Sequence, residues 1–344
     1  MQRASAAPDV RQRGGRVLTA HGRCATGGAP AIVGSSWCAP GLVANSDGHK
    51  GRPGASHPGA SEFAAYGGLT CLLAPELTRD AVFDCLRARR HFATTGSRMH
   101  LDVGLRCESG MKVWSSDPAV DDGATAATAE RAVMGAIVGC SGDARLSFSI
   151  EAASPIEKVE VRNGPEVVAT LRPYGPDDLG NRLLVRMSGA ERRGKGSRSR
   201  WQGEARVDGA AITAFQPVCA WNPELPCAPD GDTRIVFAAR TAGNMMGFDL
   251  TLDHAAAARL TVDTGNGVVG LAVADLGLDE HVSELGGIER RLRIVRAPDV
   301  NSHLSFRGHV AVPLEAGRDN PIWICVTTED GHQAWSSPIH AIDG

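Results

Sequence analysis

Apolar residues alternate with polar ones through most of the chain beyond residue 130. In "RLSFSI", Leu146, Phe148 and Ile150 fall at every second position. A period of two puts such residues on one face of a half-buried strand. The same texture runs through "RLLVRMS", "WQGEARV", "RIVFAART", "GFDLTL", "VVGLAVA", "RRLRIVRA", "HVAVPL" and "PIWICVTT". "IEKVEVRNGPEVVATLRP" reads as a hairpin around Asn163-Gly164, the dipeptide that best suits a tight hairpin turn. Strands this short, punctuated by turns, predict an all-β antiparallel sandwich over 133–344, with no long helix between 146 and 239. "HAAAARLTVD" allows one helical turn.

The region before it has a different rhythm. Residues 41–44 and 69–73 predict two short strands. Residues 77–90 carry the best helical pattern, with Thr78 as N-cap, Asp80 in the first turn, Val82, Cys85 and Leu86 on one face, and arginines at the end. "HFATTG" reads as a strand and a turn, and Met99, Leu101, Val103 and Leu105 alternate as a further strand. "SSDPAVDDGATAATAE" is small, acidic and turn-rich, which places a linker at 116–132. Residues 1–40 keep neither period, and a segment with so little apolar surface to bury is expected to be disordered.

Composition narrows the function classes. The formal net charge is −3, so no global field draws the chain to nucleic acid or to a membrane surface. No run approaches the ~20 apolar residues of a membrane span. No apolar segment follows the N-terminal arginines, so a cytoplasmic protein is the default expectation. The nine cysteines are scattered without a Cys-x-x-Cys pair, and Cys219 and Cys227 are the only close ones. They read mainly as buried thiols in a reducing setting, with disulfides as the alternative.

One stretch concentrates chemistry: "NSDGHKGRPG", residues 45–54. Asp47 and His49 stand two apart, so an extended backbone projects both to one side, and carboxylate plus imidazole is a common ligand pair for Zn, Mn or Fe. Lys50 and Arg52 follow, and a guanidinium grips phosphate or carboxylate through two parallel bonds. Gly51 and Gly54 let the backbone approach a ligand. The competing reading is a solvated polar loop. Three other places invite chemistry and have plainer explanations. His57, Thr94 and Thr95 read as a surface residue and a strand-end turn. "ERRGKGSRSRW" reads as a solvated hairpin tip. Glu329, Asp330 and His332 read as a turn between the last two strands, with Trp335 on the core.

The ordered run of motifs resembles a known family. "SDGHKGRPG", "GLT", "LTRDAVFDCLRARR" and "ATTG" occur in that order, followed by "VEVRNG", "GAERRGKGSRSRWQGEARVDG" and "DNPIWICVTTEDGHQAWSSPI". They resemble a bacterial domain-of-unknown-function family related to the polymerase-and-histidinol-phosphatase (PHP) metallohydrolase superfamily, from about residue 41 to the C-terminus. The resemblance implies a distorted (β/α) barrel that hydrolyses a phosphoester-type bond with metal-activated water. It makes Asp47 and His49 metal ligands and sets Lys50 and Arg52 near the anionic group of a small substrate. It names no catalytic residue. No His-x-His pair is present, although such domains carry one near their start.

The expected fold is therefore α+β: a short α/β remnant of a PHP-like barrel over 41–115, then the all-β sandwich. The expected function is that of a truncated metal-dependent hydrolase family member, inactive alone and weak in binding a divalent metal. A non-catalytic β-sandwich binding module with a vestigial α/β stub is the alternative. Loss of the barrel would uncover Leu69, Leu72, Val82 and Leu86 and favour self-association. Neither nucleic acid nor membrane is an expected partner.

Overall fold

The computed structural model describes residues 19–21, 40–45, 67–108, 110–118, 121–140, 142–192, 198–220, 222, 224–242 and 244–342. Asp47, His49, Lys50, Arg52 and His57 lie outside the described residues, as does most of 1–40; within that segment Thr19–His21 pairs in parallel with Val43–Asn45.

Two apolar cores organise the chain, each between facing sheets. The first lies between a four-stranded sheet and a ten-stranded one. Ala144–Glu151 sits between His100–Cys107 and Ser305–Val312, so Leu146 stands opposite Leu105 and Ile150 opposite Leu101. Their apolar faces meet Val159 and Val161 of Ile156–Asn163 and Ile322, Ile324 and Val326 of Asn320–Thr328. The second core lies between two five-stranded sheets built from residues 182–297. Val185, Met187 and Phe248 from one pack with Trp201, Phe237 and Leu260 from the other. Trp201 donates its indole N–H to Thr241 Oγ1 at 2.8 Å, and Thr241 donates to the Gly189 carbonyl at 2.6 Å. A buried indole thus keeps a partner.

The α/β remnant expected over 41–115 is not there. Leu69–Leu72 and His91–Thr94 pair antiparallel, with Cys71 opposite Phe92. His91–Thr94 then joins Gln333–Ser336, again antiparallel, with Ala93 opposite Trp335. A (β/α) barrel requires parallel strands joined by helices that pack on them. Here the helix Arg79–Arg87 links two antiparallel neighbours and buries only Cys85. Leu69–Leu72 and His91–Thr94 form one edge of the ten-stranded sheet and meet there the late strands Gln333–Ser336 and Asn320–Thr328, while Val43–Asn45 and His100–Cys107 belong to two other sheets. The expected single sandwich is likewise replaced by two pairs of sheets. The basic run near residue 195 is no hairpin tip either. Arg182–Ala190 and Ser199–Asp208 belong to different sheets, so this connection crosses between them; residues 193–197 lie outside the described residues.

Local chemistry places the helix as read. Thr78 is its N-cap and accepts from the Ala81 N–H at 3.3 Å. Leu77 is 96% exposed, Phe83 58% and Leu86 43%, while Leu69, Leu72 and Val82 are half-buried. No helix among the described residues is long and apolar enough to cross a membrane.

Cys107 and Cys140 form a disulfide that ties the end of His100–Cys107 in one sheet to the end of Ile137–Gly139 in the facing sheet. For this pair the disulfide alternative replaces the buried-thiol reading. Cys71, Cys85, Cys227 and Cys325 are free thiols. Burial pushes Cys227 up to about 11 and Cys325 up to about 12, which keeps both as unreactive thiols at neutral pH.

Candidate functional site

The strand Ile156–Asn163 has two faces with different tasks. Val159 and Val161 enter the first core, while Lys158, Glu160 and Arg162 line a cleft on the opposite side. A register shift between Ile156 and Lys158 interrupts the pairing with Asn320–Thr328 beside Glu157, the kind of local bend that re-aims side chains. Trp323, Cys325 and Thr327 continue the cleft wall from Asn320–Thr328. The other wall comes from the second core's sheet: Arg186 and Ser188 of Arg182–Ala190, Arg291 and Arg293 of Ile288–Ala297, and Val282 of His281–Glu284. The cleft holds about 120 Å³.

Its charges are ordered by close pairs. Glu157 is fully buried, at 0% exposure. It accepts from Arg293 Nη1 and, at 3.1 Å, from Nη2, while Arg172 donates to its carbonyl at 3.1 Å. Burial by itself would raise the Glu157 carboxyl, but Arg293, with Arg172 and Lys158, outweighs it and holds the group far below the usual carboxylate range. Glu280 bridges the walls, accepting from Lys158 at 2.9 Å and Arg293 at 2.8 Å. Glu160 accepts from Lys158 at 2.7 Å and from both Nε and Nη2 of Arg162 at 3.1 and 2.6 Å. Arg162 lies over the Trp323 ring at 5.4 Å. Burial opposes charge on Lys158 and Arg293, yet their carboxylate partners raise both above their ordinary values.

Behind this layer a second set of pairs joins the two cores. Arg182 bonds Asp249 at 2.5 Å and Glu329 at 2.8 Å. Arg186, 2% exposed, pairs with Asp249 at 2.6 Å and donates to the Glu329 carbonyl at 2.9 Å. Its Nε has no acceptor among the described residues. Arg291 Nε lies 3.2 Å from Glu284 as an ion pair but, like Arg186 Nε, finds no hydrogen-bond acceptor among the described residues.

The strand leading toward Asp47 is firmly anchored. Leu42 donates its N–H to Ser337 Oγ at 3.0 Å, Ser337 donates to the His91 carbonyl at 2.5 Å, and His91 Nδ1 meets the Leu42 carbonyl at 2.8 Å. Thr70 Oγ1 accepts from the Ala44 N–H at 3.1 Å and donates to its carbonyl at 2.8 Å. Leu42 and Ala44 pack on Ala93, Trp323, Cys325 and Trp335, the sheet face that also floors the cleft. His91 therefore serves the backbone.

Thr94 accepts from the Gly96 N–H at 3.2 Å and donates to the Ser97 carbonyl at 2.9 Å, closing the strand-end turn. Thr95 meets His332 Nδ1 at 3.0 Å. Asp330 accepts from Ser154 and Thr328, and Glu329 accepts from Asn301 at 3.0 Å as well as Arg182. These groups secure the turn between Asn320–Thr328 and Gln333–Ser336. Among the described residues no group of three or more His, Cys, Asp or Glu side chains is placed to hold a metal ion.

Lys158, Glu160, Arg291 and Arg293 had no part in the sequence reading. Their signal is present in "EKVEVR" and "RRLRIVR", where charges fill every position that the apolar residues leave. An ordinary half-exposed strand has the same pattern. Only the meeting of the two sheets turns those outward positions into a cleft.

The titrating groups give the fold a pH dependence. Burial lowers His91 and His332 below the ordinary histidine value. Their unfolded forms bind protons first, so this contribution is complete above about pH 6.5 and is lost as pH falls toward the folded values. Glu157, Glu160, Glu280 and Asp330 are also lowered and act in the same direction, below about pH 4.5. Glu329 is raised by burial and opposes them. Thermal melts from pH 8 to pH 4 are expected to show Tm falling below about pH 6.5 and more steeply below about pH 4.5. A Tm independent of pH across both ranges would contradict this assignment.

Residues 41–161 match the family model described as "Protein of unknown function (DUF3604)". The match takes in the 45–54 stretch and ends within Ile156–Asn163, on one wall of the cleft. No curated protein and no solved structure matches the chain.

Proposed function

We propose that the chain is a binding module whose ligand site is the cleft between its two cores. The observation that carries this reading is the convergence of Lys158, Arg162, Arg186, Arg291 and Arg293 with Glu160 and Glu280 in one concavity drawn from both halves. Concave sites with a few convergent polar groups are where small ligands bind. The Cys107–Cys140 bond favours an oxidising compartment over the cytoplasm as its place of work.

A panel of small sugars, amino acids, carboxylates and phosphates, read by thermal shift, tests the reading. At least one class should raise the Tm of the wild type. Val282→Trp, which fills the cleft without removing a charge, should abolish that rise. A ligand that stabilises both proteins equally would refute the cleft as the site.

A second reading follows the PHP resemblance. Asp47 and His49 would ligate a divalent ion, Zn, Mn or Fe, that activates water, and Lys50 and Arg52 would hold an anionic substrate. In its favour, Val43–Asn45 ends two residues before Asp47 and is anchored by Thr70, while its neighbour Leu42 is tied to His91 and Ser337. The family match also spans this run. Tight stoichiometric metal binding lost in Asp47→Ala would support it.

A further inference from the structure

We infer that the inter-core cleft takes a small oxyanion, a compound carrying a carboxylate or a phosphate-type group, with Arg291 as its principal contact. This deepens the binding-module reading and rests on it.

Hydrogen-bonding capacity gives the first argument. Five cationic side chains and two carboxylates line the cleft. The carboxylates are already engaged: Glu160 is shared by Lys158 and Arg162, and Glu280 by Lys158 and Arg293. Glu157 and Asp249 neutralise Arg293 and Arg186 from behind the wall. What remains unmet is on the donor side. Arg291 Nε lies 3.2 Å from Glu284 as an ion pair only; it is a buried donor without a hydrogen-bond acceptor among the described residues. Arg186 carries a buried Nε–H without an acceptor on the same wall. A buried donor left unpaired is costly, and an acceptor-only ligand with two oxygens suits an open guanidinium fork.

Size and wall chemistry give the second. A volume of about 120 Å³ admits a ligand on the scale of benzene, roughly four to eight heavy atoms, since a ~150 Å³ cavity holds that molecule. Nucleotides and peptides are too large to be enclosed. Trp323 offers no platform for ring stacking: it is fully buried, lies under Arg162 and donates its N–H to the Gly164 carbonyl at 2.9 Å. The polar rim sets specificity.

Calorimetric titration of the full chain at low ionic strength with inorganic phosphate, sulfate, succinate and glucose tests the inference. Phosphate or sulfate on one side, and succinate on the other, distinguish a tetrahedral oxyanion from a carboxylate. At least one oxyanion should bind one to one, and Arg291→Gln should weaken it roughly tenfold or more. Arg307→Gln removes an equal charge from the exposed strand Ser305–Val312 and should leave binding unchanged. Should Arg291→Gln fail to fold, loss of binding in Val282→Trp reads the same site with every charge retained. Equal weakening by Arg291→Gln and Arg307→Gln would overturn the inference. Binding of glucose alone, lost in Val282→Trp, would overturn the oxyanion and leave the binding module standing. No binding by any of the four would overturn the oxyanion, and the ligand panel then decides the module.

Discussion

Glu157→Ala is expected to lower the unfolding free energy by about 3–5 kcal/mol, the usual cost of removing one partner of a buried ion pair. Glu157 is fully buried, and its removal leaves Arg293 with Glu280 as its remaining carboxylate and Arg172 without a counter-charge. Most of the loss comes from cations stranded away from water, and only part from the missing bonds. A double change, Glu157→Leu with Arg293→Met, should therefore recover much of it, because apolar replacement of a whole buried pair is often neutral. Urea unfolding of the three proteins measures both effects. A single variant as stable as the wild type would show that water reaches this pair and that the two cores are not sealed together there.

Removing the disulfide is the second large perturbation. Cys107 and Cys140 are 33 residues apart in sequence. Closing a loop of that length restricts the unfolded chain by roughly 3–4 kcal/mol in the chain-entropy account. Cys107→Ala with Cys140→Ala should show that loss in urea, and reductant should destabilise the wild type by a similar amount while leaving the double variant unmoved. Mass spectrometry of a non-reduced digest should join the two cysteine peptides. Identical midpoints with and without reductant, and no joined peptide, would return these residues to the buried-thiol reading.

Local structure was legible because it depends on neighbours in sequence. Leu146, Phe148 and Ile150 face one way in Ala144–Glu151, Thr78 caps Arg79–Arg87, and the Asn163-Gly164 turn pairs Asn163 with Glu166. Partner choice was not legible. Alternation says which side chains share a face, but nothing in "HFATTG" says that its strand pairs with "QAWS", some 240 residues later. A helix between two short strands suggested an α/β unit, yet the two strands run antiparallel. The cleft was hidden for a related reason. Lys158 and Arg293 occupy positions that look solvent-facing until a second sheet covers them. The 45–54 stretch was conspicuous because its residue types are rare together, and residues 46–54 lie outside the described residues.

The central claim is that ligand binding resides between the two cores and not at Asp47 and His49. Its most direct test is the ligand-induced change in Tm, measured side by side for the wild type, Val282→Trp and Asp47→Ala, with the small-ligand panel and with Zn²⁺ and Mn²⁺. A rise is expected in the wild type and in Asp47→Ala, and Val282→Trp should abolish it. A rise that survives in Val282→Trp and disappears in Asp47→Ala would contradict it.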